Sequence, residues 1–422
     1  MPQKLALICS LLALSGPAVL GESDFIGSSA LHEAGLVKYW QLQLPLQPGQ
    51  EIAASYLVDD QLYAATQDGY VYAIDAQTGA IRWAKQVTTA GYQLRPPCHA
   101  GERTVFVTPP AFWQYDRYSG RPIRAMETRF PTGSPAISDG LRIYVGGIDQ
   151  KIYAFHLDQD FEDWKARANG PVVSRPALLG KYLYFAGDDG TVYACVAANK
   201  QFYWRARRVG PVTADLAVDE NGVYVACRDH SLYLLDPAFG GLRWRTRFSG
   251  PLYEPPVITP QVVFQYSPKD GLAAINTATV DVETRVRWTL PRGRKLLTLD
   301  EKRAYILSCD ETILIAGLDD GRLLHTVPAP GFTMPMPSPG VMALYVAAKN
   351  GRLFCARKRG VPIVLAEDVR RASLGPKSPE EQAETPAEAG APKPAEEDHL
   401  RSKRPGPPIG AKSKVSREYV GE

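Results

Sequence analysis

LYAATQDGYVYAIDAQTGAIRWAKQV, residues 62–87, holds two alternating apolar runs split by Asp68-Gly69, then a polar turn leading to Trp83. Period-two alternation in β-branched and aromatic residues, punctuated by Gly, Asn and Asp, marks short strands joined by tight turns. The phrase returns with starts at Val105, Ile143, Leu183, Val223, Val262, Ala304 and Leu344, in steps of 43, 38, 40, 40, 39, 42 and 40 residues. In the middle of the chain the register is nearly rigid. Trp164, Trp204 and Trp244 stand 40 apart, and so do Gly170-Pro171, Gly210-Pro211 and Gly250-Pro251. A fixed period of this size, filled with short strands, signals a repeat architecture.

Within one unit, Pro171 to Gly210, the pieces PVVSRPALLG, KYLYFAGDDG, TVYACVAANK and QFYWRARRVG are each strand-like and bounded by turn residues. We label these strands a to d. At Asp68-Gly69, Asp189-Gly190 and Asn350-Gly351 the spacing predicts b–c hairpins with both central residues at positive φ. A four-stranded meander cannot bury both of its faces alone. Radial packing of such sheets solves this, so the reading is an all-β, eight-bladed β-propeller of four-stranded antiparallel blades. The strand-d tryptophans, Trp40, Trp83, Trp164, Trp204, Trp244 and Trp288, would wedge between neighbouring blades. The second copy offers Ile123 or Met126 near this position, with Trp113 in strand c instead, and the seventh offers Leu324-His325. The eighth phrase lacks a strand d, whereas Leu36–Leu44 (LVKYWQLQL) resembles one and precedes a first strand a at 51–58. The N-terminal strand is therefore expected to complete the last blade and close the ring.

The ends are read separately. Residues 1–21 resemble a signal peptide, with Lys4, an apolar run from Leu5 to Leu14, and small residues permitting cleavage after Ala18 or Gly21. The run is short for a membrane span, and no other segment reaches spanning length. Ala6-Leu7-Ile8 before Cys9 is no lipoprotein box, so no lipid anchor is expected. Residues 22–35 read as a linker and 36–365 as the propeller. The tail 366–422 is first Pro, Ala and Glu rich and then basic, with no hydrophobic period, and reads as disordered.

Composition narrows the function. A net charge of +3 gives no global electrostatic case for nucleic acid. Cys98, Cys195, Cys227, Cys309 and Cys355 are scattered, without C-x-x-C spacing, and read mostly as small buried residues, a Cys195–Cys227 disulfide being the alternative. His32, His99, His156, His230, His325 and His399 offer no i, i+4 metal pair. His230 reads as a surface residue of a b–c turn. Neither a G-x-S-x-G elbow nor a P-loop is present.

The segment DGYVYAIDAQTGAIRW, residues 68–83, resembles the tryptophan-docking repeat of quinoprotein propellers, which also builds the outer-membrane protein assembly factor B group. The likeness spans residues 36–365 and implies two functional classes. Quinoprotein dehydrogenases oxidise alcohols or sugars with pyrroloquinoline quinone and calcium; the assembly-factor group has the same wheel without a cofactor and serves as a protein-interaction scaffold. This chain has no Cys-Cys pair, no converging Asp, Glu and Asn set for calcium, and almost no length to spare for insertions over a cofactor. The scaffold class is therefore expected: a non-enzymatic, exported monomer of the periplasm or cell envelope, without cofactor. Its partners would be proteins, by resemblance outer-membrane assembly components. The quinoprotein oxidoreductase is the alternative. The lipoprotein cysteine of the assembly-factor group is missing here, and the tail is additional.

Two candidate sites remain. Counting back from each strand b to strand a places Ala54, Arg95, Ser134, Arg175, Asp215, Glu254, Leu296 and Met336 around the channel mouth. Arg95, Ser134, Arg175, Asp215 and Glu254 could grip a peptide or small anion, or could satisfy one another, since unpaired buried charge is costly. The second candidate is a basic rim on strand d: Arg205, Arg207 and Arg208, then Arg243, Arg245 and Arg247, then Arg285 and Arg287. Charged outer strands discourage edge-to-edge aggregation. The same belt would also attract an acidic partner or an anionic envelope surface.

Overall fold

A computed structural model describes residues 24–362, except 90, 93, 110, 208, 209 and 280. The expected signal peptide, the expected disordered tail and Arg208 lie outside the described residues. The described chain forms eight four-stranded antiparallel sheets, each with its strands in chain order except the last. That sheet consists of Phe332–Met336, Ala343–Ala348 and Arg352–Lys358, completed on its outer edge by Leu36–Gln43. Trp40 lies opposite Cys355 in this pairing, so the two ends of the propeller are joined by a strand ladder. No helix among the described residues is long and apolar enough to cross a membrane.

Strand a of each blade is innermost, and a strands of neighbouring blades touch, as do Ala177–Leu179 and Ala217–Asp219. The apolar core lies between blades rather than within them. Eight clusters of buried side chains each draw mainly on two adjacent sheets. In one, Tyr144, Ile152, Ala154 and Trp164 of the third blade meet Leu183, Phe185, Tyr193 and Cys195 of the fourth.

Each strand-d tryptophan reaches across to the c–d turn of the next blade. Its indole N–H donates to a backbone carbonyl there: Trp40 to Ala76 (3.1 Å), Trp83 to Arg117 (3.0 Å), Trp164 to Ala197 (3.0 Å), Trp204 to Pro237 (2.9 Å), Trp244 to Thr277 (3.1 Å) and Trp288 to Leu318 (2.9 Å). Under Trp40, Trp83, Trp204 and Trp288 the ring lies on the turn's left-handed glycine, Gly79, Gly120, Gly240 and Gly321 respectively. At Gly240 (φ 69°) a Cβ would stand 2.5 Å from Trp204 Cε3, and at Gly120 (φ 65°) it would stand 2.6 Å from Trp83 Cγ. Burial of roughly 150–250 Å² per indole, at about 25 cal/mol per Å², contributes up to ~4–6 kcal/mol per junction.

Two junctions lack a tryptophan, and each is filled differently. In the second blade the register puts Arg124, opposite Gln114, at the tryptophan position, rather than Ile123 or Met126. Arg124 turns outward to Asp160 (2.5 Å). Buried Gln114 takes over the inward bond, donating from Nε2 to the Leu157 carbonyl at 2.9 Å. Trp113 donates to Thr108 Oγ1 within its own sheet. Between the seventh and eighth blades, where His325 holds the tryptophan register, residues 24–35 pack in. This stretch, expected as a linker, carries a short helix, Ser28–Glu33. Ile26, Leu31, Ala34 and Leu36 are buried against Tyr305, Ile313, Val327 and Phe332.

The b–c hairpins differ from the expectation in one detail. Gly69, Gly190 and Gly351 have φ of 85–86°, but Asp68, Asp189 and Asn350 are not left-handed. These are loops with a single left-handed residue closing the turn. Gln150, His230 and Glu311 accept the same conformation (φ 66°, 70° and 59°) in other blades. All five described cysteines are free thiols; only Cys309 is exposed, so the Cys195–Cys227 bridge does not form.

Lys200 (φ 57°) occupies the c–d position in front of Trp164 that is glycine in front of Trp83 and Trp204. Lys200→Gly removes a left-handed penalty of about 1–2 kcal/mol, partly offset by unfolded-state entropy, and is expected to stabilise the protein by ~0.5–1 kcal/mol. Gly240→Ala should destabilise it by about 2–4 kcal/mol through strain and overlap with Trp204. Urea unfolding of the two variants beside wild type checks both signs.

Candidate functional site

The channel mouth is built from residues just before or within strand a. Arg175 and Asp215 each stand two residues before their strands, Ala177–Leu179 and Ala217–Asp219. The Arg175 backbone N–H donates to Asp215 Oδ1 (2.8 Å), and its Nε donates to the Ala136 carbonyl (3.1 Å). Glu254 faces Lys295 from the neighbouring blade: Lys295 Nζ lies 3.5 Å from its Oε2 and donates to the Pro255 carbonyl at 3.0 Å. Arg294 approaches the other Glu254 oxygen at 3.8 Å. Across the ring, the Tyr56 hydroxyl donates to the Leu94 carbonyl (2.8 Å) beside Arg95.

These groups share one electrostatic environment. Burial raises the Asp215 carboxyl above its usual range, against the pull of the Arg175 N–H and of Arg175, Lys295 and Arg95. Burial likewise lowers Lys295 and Arg95, opposed by Glu254 at the first and Asp215 at the second. The Tyr56 phenol is pushed up to about 12, chiefly by burial and then by Asp215. Arg95 Nη1 is buried and has no hydrogen-bond partner among the described residues. The ring is thus a mutually compensating charge cluster with cations in excess, in keeping with the cost of leaving buried ions unpaired.

Of the channel positions read from sequence, Arg175, Asp215 and Glu254 join this cluster and Arg95 borders it. Ser134 does not. Its hydroxyl is fully buried, donating to the Pro135 carbonyl and accepting from the Gly146 N–H, so it braces a loop. Leu296 and Met336 are buried core residues. The seventh blade presents Lys295 instead of Leu296 because its strand a, Gly293–Leu299, carries two register shifts. Tyr56 was missed for a similar reason: strand Ile52–Val58 shifts register between Ile52 and Ala54.

The rim arginines divide. Arg243 is held by Asp236 (Nη2–Oδ2 2.8 Å) and by the Asn221 carbonyl, and Arg287 lies 3.5 Å from Asp319. Arg285 is not on the rim at all. It is 2% exposed, stacked 5.3 Å from the Trp244 ring centroid, and donates to the Arg245 carbonyl. Arg205, Arg207, Arg245 and Arg247 are exposed and form no ion pair among the described residues. Beside them stand exposed apolar side chains that charge counting missed: Phe202, Tyr203, Leu242 and Phe239, the last 80% exposed on the turn that covers Trp204.

One histidine is wired into the interior. His99 bridges Asp59 (Nδ1–Oδ2 2.8 Å) and the Tyr63 hydroxyl (2.7 Å from Nε2), which also meets Thr104 at 2.8 Å. Burial lowers the His99 pKa, opposed by Asp59. These groups join the first two blades as a hydrogen-bonded strut.

Calcium takes six to eight oxygens; of the two carboxylates here, Glu254 is engaged by Lys295 and Arg294, and Asp215 accepts the Arg175 backbone N–H. Among the described residues no group of three or more His, Cys, Asp or Glu is placed to hold a metal.

An eight-bladed wheel with indole-docked repeats and an ionic channel defines a class: the propellers built from the quinoprotein-type repeat. A family model described as outer membrane protein assembly factor BamB matches residues 30–129, 112–212 and 190–334, and the chain belongs to this family. No curated protein matches the sequence. Among solved structures, BamB from Moraxella catarrhalis aligns with a TM-score of 0.61 at 16% identity, covering 78% of this chain and 99% of that one. The computationally designed Ika8 protein aligns with a TM-score of 0.59 at 13% identity, covering 75% and 98%. At such identities the structural likeness speaks for the fold alone.

Removing the Arg175 side chain deletes its bond to Ala136 and one of the cations compensating Asp215. Arg175→Ala is expected to cost about 2–3 kcal/mol, and adding Asp215→Asn should return part of that loss. A double-mutant cycle by urea unfolding measures the coupling; strictly additive losses would show that the two charges do not interact.

Proposed function

We propose that this protein is a non-catalytic scaffold of the cell envelope that binds a protein partner in outer-membrane protein assembly. The observation that carries the reading is the outer surface of the fourth and fifth blades. Phe202, Tyr203, Phe239 and Leu242 are exposed next to the unpaired Arg205, Arg207, Arg245 and Arg247. Aromatic anchors flanked by arginines are the composition of energetic hot spots, with the charges guiding an acidic partner into register. The family match supports the same direction. The engagement of Glu254 by Lys295 and Arg294, and of Asp215 by the Arg175 N–H, argues against the quinoprotein alternative.

The chain carrying an affinity tag, purified from its native envelope, should bring down an outer-membrane assembly component. Arg205→Glu with Arg207→Glu and Arg247→Glu should weaken that capture by at least about tenfold while leaving the melting temperature unchanged, because all three side chains are exposed and form no ion pair among the described residues. Phe239→Ser should weaken it independently. Capture unchanged in both variants would reject the rim as the binding surface.

A further inference from the structure

Where the ring closes, a cleft of about 420 Å³ lies between the a–b turn of the seventh blade and the end of the eighth blade's strand Arg352–Lys358. Lys302 and Arg303 line it from the turn and Lys358 and Arg359 from the strand end, with Asp300 and Glu301. Asp300 is spent on its own turn: Oδ1 accepts the Lys302 and Arg303 N–H groups (2.9 and 2.8 Å), and Oδ2 accepts the Tyr305 hydroxyl (3.3 Å). Arg303 is fixed in place by donating from Nη1 to the Ala34 carbonyl (3.2 Å). Gly35 leaves room for this approach, since a Cβ there would stand 3.1 Å from the same nitrogen. Half-buried Arg82, Arg117 and Arg142 each pair with an aspartate, whereas none of the four cleft cations forms an ion pair among the described residues. Four cations against two carboxylates leave an excess of two positive charges.

We propose that this cleft is a binding site for a phosphomonoester, either a small soluble one or the headgroup of a lipid. Such a group carries about −1.5 to −2 charges near pH 7, which matches the excess; a carboxylate, with one charge, would leave half of it uncompensated. A guanidinium offers phosphate oxygens a planar fork and an ammonium offers a point charge, and the cleft supplies two of each. Its volume lies within the roughly 300–1,000 Å³ of small-molecule sites, so there is room for what the phosphate is attached to. The position gives a bound phosphate a structural consequence. Lys358 pairs with Leu36, and the Arg359 N–H donates to the Gly35 carbonyl (3.3 Å), so two of the cations sit on the strand that receives the closing strand. Lys302 and Arg303 belong to the neighbouring blade. A phosphate held by both pairs ties the seventh blade to the closing sheet and stabilises the folded ring by mass action. This site is separate from the rim of the fourth and fifth blades and does not depend on the scaffold reading.

The test titrates the full chain with glycerol phosphate, and in parallel with acetate, at constant ionic strength, recording the heat of binding and the melting temperature. Glycerol phosphate should bind saturably and raise the melting temperature; acetate should do neither. Lys302→Ala with Arg359→Ala should weaken binding by at least about tenfold. Both side chains are exposed and make no hydrogen bond among the described residues, so the melting temperature without ligand should not change. Arg205→Ala with Arg247→Ala, on the rim, should leave binding intact. Vesicles of phosphatidylcholine with and without phosphatidic acid distinguish the sources. Co-sedimentation that requires phosphatidic acid and is lost in the cleft variant identifies a lipid headgroup, and binding of glycerol phosphate without co-sedimentation identifies a soluble ester; either supports the site. No saturable binding of either probe, equal binding of acetate, an unchanged affinity in the cleft variant, or an equal loss in the rim variant would each overturn the proposal.

Discussion

Each sheet of this protein presents two apolar faces and can bury them only against its neighbours, so the structure depends on what joins one blade to the next. At six of the eight junctions that joint is an indole whose N–H ends on a carbonyl of the following blade, and at four of these the ring packs on a left-handed glycine of that blade's turn. It combines a large buried area with a directional bond, fixing both the distance and the rotation between sheets. The closing strand carries the same joint across the seam: Trp40, near one end of the propeller, docks on Ala76 of the first blade while its strand pairs with the last.

The repeat period, the strand order and the closure were legible because they follow from alternation, turn residues and a missing strand at one end. The exceptions were legible only as gaps. Nothing in the pattern indicates that Gln114 supplies the bond to Leu157 while Arg124 turns outward, or that residues 26–36 fill the junction beside His325. Bulges defeated residue counting. A register shift adds a residue to one strand and exchanges inside for outside, which is why Lys295 rather than Leu296 reaches the channel. Arg285 misled for another reason: its strand is preceded by a short helix, and the side chain folds under it against Trp244 instead of following the arginine alternation of the preceding blade.

Function resides in what the repeat does not require. The positions that recur are spent on strands, turns and docking, leaving the variable residues to distinguish this wheel from others of its class. Along the axis these residues form an interlocked ionic cluster centred on Asp215 and Glu254. On the outside of the fourth and fifth blades they leave aromatic and guanidinium groups facing solvent. At the seam they leave four cations around one cleft. The axis thus carries partly compensated charge, while the periphery leaves aromatic and cationic side chains exposed, and the proposed scaffold reading rests on that difference.

That claim is tested most directly by titrating the purified protein with pyrroloquinoline quinone in the presence of calcium, following the heat of binding together with the melting temperature. A channel already committed to its own ion pairs should give no saturable heat and no rise in melting temperature. Saturable binding that stabilises the fold, accompanied by dye-linked oxidation of an alcohol, would contradict the account and place the protein among the quinone enzymes.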